Sequence, residues 1–379
     1  MASAARRWIN LSYANVANTS ARAHRATAEW ADKLERGGCA EFDGHAEATA
    51  LMPLRRAAAK LLQCGVEEVA VGSSASEMLC SIAWGISPPR GSTIISTRAS
   101  FPSTVYPWLR VAEATGATVR LAAHDADWYT SPDALLELID DSTSVVTVSH
   151  VEYASGQRYD LQRLSEAAHA VGALLVVDAT QSMGCLPIIA PSCGADALVS
   201  SGYKWLRGSY GAAVGYVSPA IRAIKPGLVG FRSHRDVWNL QADRLELPSD
   251  AARFEYGTIH FGAALGLAEA VEELNEEGIE SVWRKNLALC DSVATGCEEK
   301  LGLRLASTMH EEERSGIVSV HMPEGVNCGA VVKRLQDKHG ILVTDRAGLL
   351  RVSPHFVNSQ AEVQTMLDAL REELDLTSR

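Results

Sequence analysis

Four stretches constrain the fold most: "TSVVTVSHV" (143–151), "ALLVVDATQS" (173–182), "ADALVSSG" (195–202) and "GAAVGYV" (211–217). Each is a near-continuous apolar run, too short for a buried helix and rich in β-branched residues. A strand that is apolar on both sides must be covered on both faces. Earlier runs of the same kind are "EEVAVGSS" (67–74), "GSTIIST" (91–97) and "ATVRLAA" (117–123). Helical patterns separate them. "SEMLCSIAWGI" follows the first, and "TVYPWLRVAEATG" ends on Gly116. "SPDALLELID" has Ser131 as cap and Pro132 at its first position. "DLQRLSEAAHAVG" puts Leu161, Leu164, Ala168 and Val171 on one face and stops at Gly172. The alternation predicts an α/β architecture with a mostly parallel mixed sheet under helices.

At 379 residues the chain exceeds the roughly 250–300 residues at which one core stops growing. We therefore expect an N-terminal segment (1–15), a large domain (16–260) and a smaller α+β C-terminal domain (261–379). In the latter, "GIVSVHM" reads as a strand and "ILVTDRAGLLRVSPH" as a hairpin. The last helix opens with Ser359 and Glu362 as a capping box, and Val363, Met366, Leu367, Leu370 and Leu374 form its apolar face. Hydrophobic residues make up 47% and charged residues 21%, the balance of a soluble globular protein. A net charge of −11 argues against a nucleic-acid partner. There is no polybasic run and no apolar stretch of about 18 residues, so no membrane partner is expected. The opening has two arginines without an apolar core behind them, which is not a secretory signal. Eight cysteines at irregular spacing, mostly in apolar segments, read as reduced thiols of a cytoplasmic protein. No CxxC or His/Cys cluster predicts a metal site.

In a parallel sheet, ligands collect outside the carboxyl ends of the strands. "ALLVVD" ends there on Asp178. The next strand ends there too, and its loop "SSGYKWLRG" carries Lys204. The two can face one ligand, or simply form a buried salt bridge. "GSSASEM" (72–78) places small hydroxyl residues at a helix start, where backbone N–H groups suit a phosphate. Ser at such a place is otherwise just a cap, and the spacing is not that of a nucleotide P-loop. Phosphate cradle, acid and amine together are what pyridoxal 5′-phosphate (PLP) needs: a lysine Schiff base, a carboxylate for its pyridinium nitrogen and a phosphate site. Burial near a cation would also lower the lysine pKa and free it as a base.

"VVDATQSMG", "SSGYKWLRGSYGAAVGYV", "SFPSTVYPWL", "RFEYGTIHF" and "RVSPHFVNSQAEV" together resemble the class V aminotransferase family, within the fold-type I PLP enzymes, over about residues 10 to 372. The resemblance implies that Lys204 carries the cofactor and that Asp178 pairs with its ring nitrogen. It implies that Gln181 bonds the ring 3′-oxygen, that Ala75, Ser76, Ser201 and Tyr203 hold the phosphate, and that Phe101 stacks on the ring. By the same resemblance Tyr153 would lie against the cofactor, at a position where cysteine desulfurases have Asn. Gly257 and Thr258 would reach the phosphate of a second subunit, which makes a homodimer with active sites at the subunit interface. Arg351 would bind the substrate α-carboxylate. Plainer readings make Phe101 and Tyr203 packing residues and Arg351 a surface ion pair, and leave His150 and His260 structural.

Members of the family divide on residues near the substrate. Cysteine desulfurases resembling this chain have a nucleophilic Cys ahead of the arginine matching Arg351, whereas here the loop reads "HGILVTDRAGLLR". Cys328 starts a helix and reads as structural. "VEYASGQ" resembles instead the kynureninase loop. These features lead us to expect an enzyme acting at Cα or Cβ of an α-amino acid. A C–S or C–C lyase or an epimerase in secondary metabolism is favoured, an aminotransferase is the alternative, a cysteine desulfurase is disfavoured and a non-catalytic PLP-binding protein is remote. A substrate pocket is expected from "NLSYANVANTS", Tyr153 and the loop "GFRSHRD" (230–236). Arg232, His234 and Arg235 on that loop would meet a polar group or form a solvated face.

Overall fold

The computed structural model describes residues 8–374. The two arginines of the opening lie outside these residues. The strands in chain order are β1 (Ile9–Asn10), β2 (Val69–Gly72), β3 (Thr93–Thr97), β4 (Thr118–Ala122), β5 (Thr143–Ser149) and β6 (Leu174–Asp178). They continue with β7 (Ala197–Ser201), β8 (Ala213–Val217), β9 (Val318–His321), β10 (Ile341–Leu342), β11 (Thr344–Arg346) and β12 (Leu349–Val352).

A seven-stranded sheet has the order β2-β8-β7-β6-β5-β3-β4. All its pairs are parallel except those of β8, which is antiparallel to β2 and to β7. The apolar runs fall where the sequence placed them, and every residue of β2, β6, β7 and β8 but Leu174 is buried. β6 and β7 are parallel, so Asp178 and Ser201 end at one sheet edge. β2 runs the same way as β7, because both oppose β8. The helix Ala75–Ile86 therefore starts at that edge too. β7 and β8 are joined directly by the turn that carries Lys204, since antiparallel neighbours need no crossover helix. Gly202 and Gly208 let this turn lie against the helix Phe261–Glu277. A Cβ on either would meet Leu267 at 2.5 or 2.7 Å.

Two predicted helices differ in extent. "SPDALLELID" forms only Pro132–Leu136, under its Ser131 cap. The helix Pro102–Thr115 runs past an internal Pro107 before Gly116 ends it in left-handed conformation.

β11, β12 and β9 form a separate antiparallel sheet, and β1 pairs with β10. The second core, around Leu289, Val293, Val320, Leu350, Met366 and Leu370, includes Leu11 from the N-terminal segment. The helix Phe261–Glu277 buries its face in the main core, where Leu267, Val271 and Leu274 pack. The two cores thus separate within the helix Ile279–Thr295. The Ser359–Glu362 capping box is formed at the start of the last helix.

Candidate active site

Lys204 is buried and lines a cavity with Ala75, Ser76, Phe101, Asp178, Gln181 and Ser201. Tyr153 and Tyr203 line it as well. It forms no ion pair with Asp178, so the salt-bridge alternative is not realised. Burial, reinforced by the charges of Arg351 and Arg346, lowers Lys204 to about 8, with Asp178 opposing. An amine of that kind is partly neutral in mild alkali, which is what nucleophilic attack or proton abstraction requires.

Asp178 is fixed from two sides. The backbone N–H of Thr180 donates to Oδ1 at 2.9 Å, and Thr104 Oγ1 donates to Oδ2 at 3.1 Å. Thr104 in turn meets Ser149 Oγ at 3.2 Å. These neutral donors hold the carboxylate without discharging it, leaving its charge for a ligand. Thr104 was within the quoted "SFPSTVYPWL" but carried no signal of its own.

At the start of Ala75–Ile86, Ser74 caps the helix by accepting from Glu77 N at 3.2 Å. The Ala75 N–H points to Ser201 Oγ at 3.4 Å, and Ser76 Oγ lies 2.8 Å from Ser103 Oγ. Phe101 is 41% exposed and caps the next helix, with its ring centroid 5.5 Å from Lys204 Nζ, so it is no core aromatic. Its ring meets Tyr153 edge-on at 5.3 Å. Tyr203 stacks on Tyr210 at 4.4 Å. Gln181 accepts from Trp205 Nε1 and donates to Ala14 O, both at 2.9 Å, which leaves one amide hydrogen for a ligand. Beneath Tyr153, burial raises Glu152 to about 8, so its carboxyl is largely neutral at pH 7.

Arg351 lies on the other side of Lys204. It is buried to 1% exposure, not on the surface. Its Nη1 donates to Tyr153 O at 2.6 Å and its Nε to Thr344 Oγ1 at 3.3 Å, while Nη2 has no partner. Burial and the neighbouring Arg346 charge lower it to about 9. A buried guanidinium with one free edge is built to receive an anion. Ala14, Asn15, Val16 and Arg346 line this side. Arg346 was missed at the sequence level, although it lies two strand positions from Thr344.

Other expected residues lie elsewhere. Gly257 is half-buried and Thr258 exposed, and neither lines the Lys204 cavity of its own chain. The loop 230–236 does not line it either. Arg232 and His234 are buried rather than solvated, with Arg232 donating to Glu47 O and His234 facing Asp236 O. His150 is buried, and burial lowers it to about 3. His260 caps a helix by accepting from Ala263 N. All eight cysteines are free, and none lines the Lys204 cavity. Cys328 is buried beside Asp345, and burial raises its thiol to about 12.

The chain matches the aminotransferase class-V family over residues 19–366 and belongs to it. It is 25% identical over 339 residues to a probable cysteine desulfurase of Methanothermobacter thermautotrophicus, covering 85% of this chain and 83% of the relative. A kynureninase of Deinococcus radiodurans is 29% identical over 322 residues, 81% of this chain and 76% of that one. An apo cysteine desulfurase structure from Thermococcus onnurineus NA1 superposes with a TM-score of 0.86 at 26% identity, covering 97% and 95% of the two chains. The protein is a PLP-dependent enzyme of fold type I.

The residues present fit that cofactor. An unpaired amine, a carboxylate held by neutral donors, a capped helix start bearing serine hydroxyls and an aromatic wall all line one cavity. One expectation is corrected. The missing loop cysteine argued for a lyase or epimerase and against a cysteine desulfurase, whereas the relatives point to a cysteine desulfurase. One side chain on a hairpin was outweighed by similarity along the whole chain.

Proposed function

We propose that the protein removes sulfur from L-cysteine and leaves L-alanine. The observation that carries this reading is the joining of Lys204, Asp178 and the free edge of Arg351 around one cavity, in a chain whose relatives are named cysteine desulfurases. PLP, when bound, supplies an electron sink that weakens bonds at the α-carbon of an amino acid. Lys204 is its anchor and Asp178 its ring-nitrogen partner, with Gln181 at the 3′-oxygen and Phe101 and Tyr153 as walls. Ala75, Ser76, Ser201 and Tyr203 hold the phosphate, and Gly257 and Thr258 serve the second subunit. Arg351 orients the substrate through its α-carboxylate, and Lys204 Nζ takes and returns the proton. Because no cysteine lines the cavity, the sulfur passes to a thiol entering from outside, and cysteine plus thiol gives alanine plus persulfide.

Holoenzyme incubated with L-cysteine and a thiol should form equal amounts of alanine and sulfane sulfur. Intact cysteine after prolonged incubation would sink the reading. The protein works as a homodimer. Tyr210, which lines the cleft and is 62% exposed, and Tyr106, 63% exposed, support this. Sedimentation should give twice the chain mass, and Tyr210→Glu should shift it towards one. No helix among the described residues is long and apolar enough to cross a membrane. Free thiols throughout support the cytoplasm as the compartment.

A further inference from the structure

The geometry points to a second anion subsite in the cavity, formed by Arg346 with Asn15 behind it, that takes a carboxylate additional to the one at Arg351. The hairpin puts both guanidiniums on one face. Thr344 is the register partner of Arg351 in the β11–β12 pair, and Arg346 stands two positions along from Thr344. Partners across an antiparallel pair, and residues i and i+2, share a sheet face. The two arginines therefore project together, about 7 Å apart along the strand direction. Both line the cleft of ≈ 130 Å³ beside Lys204.

The charges there are unbalanced. Among the described residues, none of those lining this cleft is acidic. Arg346 donates to Asn15 Oδ1 at 2.7 Å and to Asp345 O at 2.9 Å, both neutral acceptors. Arg351 meets only a carbonyl and a hydroxyl and keeps Nη2 unpartnered. Two other buried arginines are paired with carboxylates, Arg55 with Asp250 and Arg207 with Glu273. Two guanidiniums crowded together without a carboxylate are unfavourable unless ligand anions join them. One α-carboxylate satisfies Arg351. The second cation calls for a second anion, and Asn15 fixes the Arg346 fork to receive it.

This rests on the reading that an amino acid binds at Arg351. The second carboxylate is carried by the small thiol that accepts sulfur or, where the amino acid is not cysteine, by the amino acid itself. Calorimetric titration of the holoenzyme with glutarate and with butyrate tests the subsite without turnover. Glutarate should bind roughly tenfold tighter or more, as an added charge-assisted contact implies. Arg346→Met should bring the ratio close to one and leave butyrate binding intact, and Arg346→Lys should keep part of the preference. Equal binding by the unmodified protein, or a preference that survives Arg346→Met, overturns the subsite. The wild-type comparison decides even if the variant does not fold.

Sulfur transfer from cysteine to mercaptoacetate, compared with 2-mercaptoethanol, then locates the second anion. An Arg346-dependent preference for the acid thiol places it on the acceptor. No such preference, with L-glutamate held tighter than L-norvaline, places it on the amino acid. Both support the subsite. A glutarate preference without alanine formation keeps the subsite and removes the desulfurase reading. Alanine formation without the preference does the reverse.

Discussion

The two walls of the Lys204 cavity are built by different means. The proposed cofactor wall comes from strand ends at one edge of one sheet: the start of Ala75–Ile86 after β2, Asp178 at the end of β6 and the turn after β7. Its hydrogen bonds are neutral donors to one carboxylate. The substrate wall comes from the chain's two ends, with Asn15 and Arg346 bonded across 331 residues. Its charge is positive and uncompensated. On the proposed reading one wall is a preformed seat for the cofactor, and the other holds unbalanced positive charge that a bound anion would neutralise.

The largest effect that would break this contrast is at the junction of the walls. Lys204→Ala should abolish cofactor absorbance and lower turnover by at least roughly 10³-fold. Retained turnover would remove the anchor assignment. Next is the cofactor wall itself. Asp178→Asn keeps the shape and the Thr180 contact but removes the charge. It should lower kcat by roughly 10²–10³-fold with little change in thermal midpoint. A large loss of stability with normal kcat would make Asp178 structural.

The uncompensated charge can be read in the cofactor-free protein. Lys204 is lowered from 10.5 to about 8 in the folded chain. Between these values the unfolded chain binds the extra proton, so stability rises with pH across that window. Below about pH 8 the folded chain carries the full penalty. Lys204→Met should therefore stabilise the apo protein at pH 7 by about 2–3 kcal/mol, an advantage that fades towards pH 10.5. A constant advantage at all pH values would show that packing, not charge, is responsible. The smallest effect is on the substrate wall. Arg351→Lys keeps a charge but loses the fork, and should raise KM for the amino acid by roughly 10- to 100-fold with kcat less affected. An unchanged KM would move the carboxylate site elsewhere.

How legible each wall was follows from this construction. Ala75, Ser76, Asp178, Gln181, Ser201, Tyr203 and Lys204 all flank apolar runs whose ends can be read locally, and all line one cavity. Phe101 was found on a motif that carries the family resemblance, and Tyr153 on the loop that resembles kynureninase. The substrate wall was half seen. "NLSYANVANTS" and Tyr153 do line it, while the loop 230–236 does not. Arg232 on that loop is tied instead to Glu47 O. Arg346 escaped because a charge on a short hairpin reads as solvated surface until its partner strand is placed.

By itself the sequence determined the sheet, its direction and the edge where Asp178 and Lys204 end. Burial on both faces leaves a continuous apolar signature, and parallel strands joined by helices must end on one side. Tertiary structure alone decided that Ala14 and Asn15 close over the cavity and that Arg346 stands beside Arg351 without an acid. That outcome rests on two residues of β1 pairing with two of β10 and on one bridge from Ser12 to Ser353. Pairings so short, between the two ends of the chain, leave no periodic trace, because their free energy comes from contacts that exist only once both cores have formed.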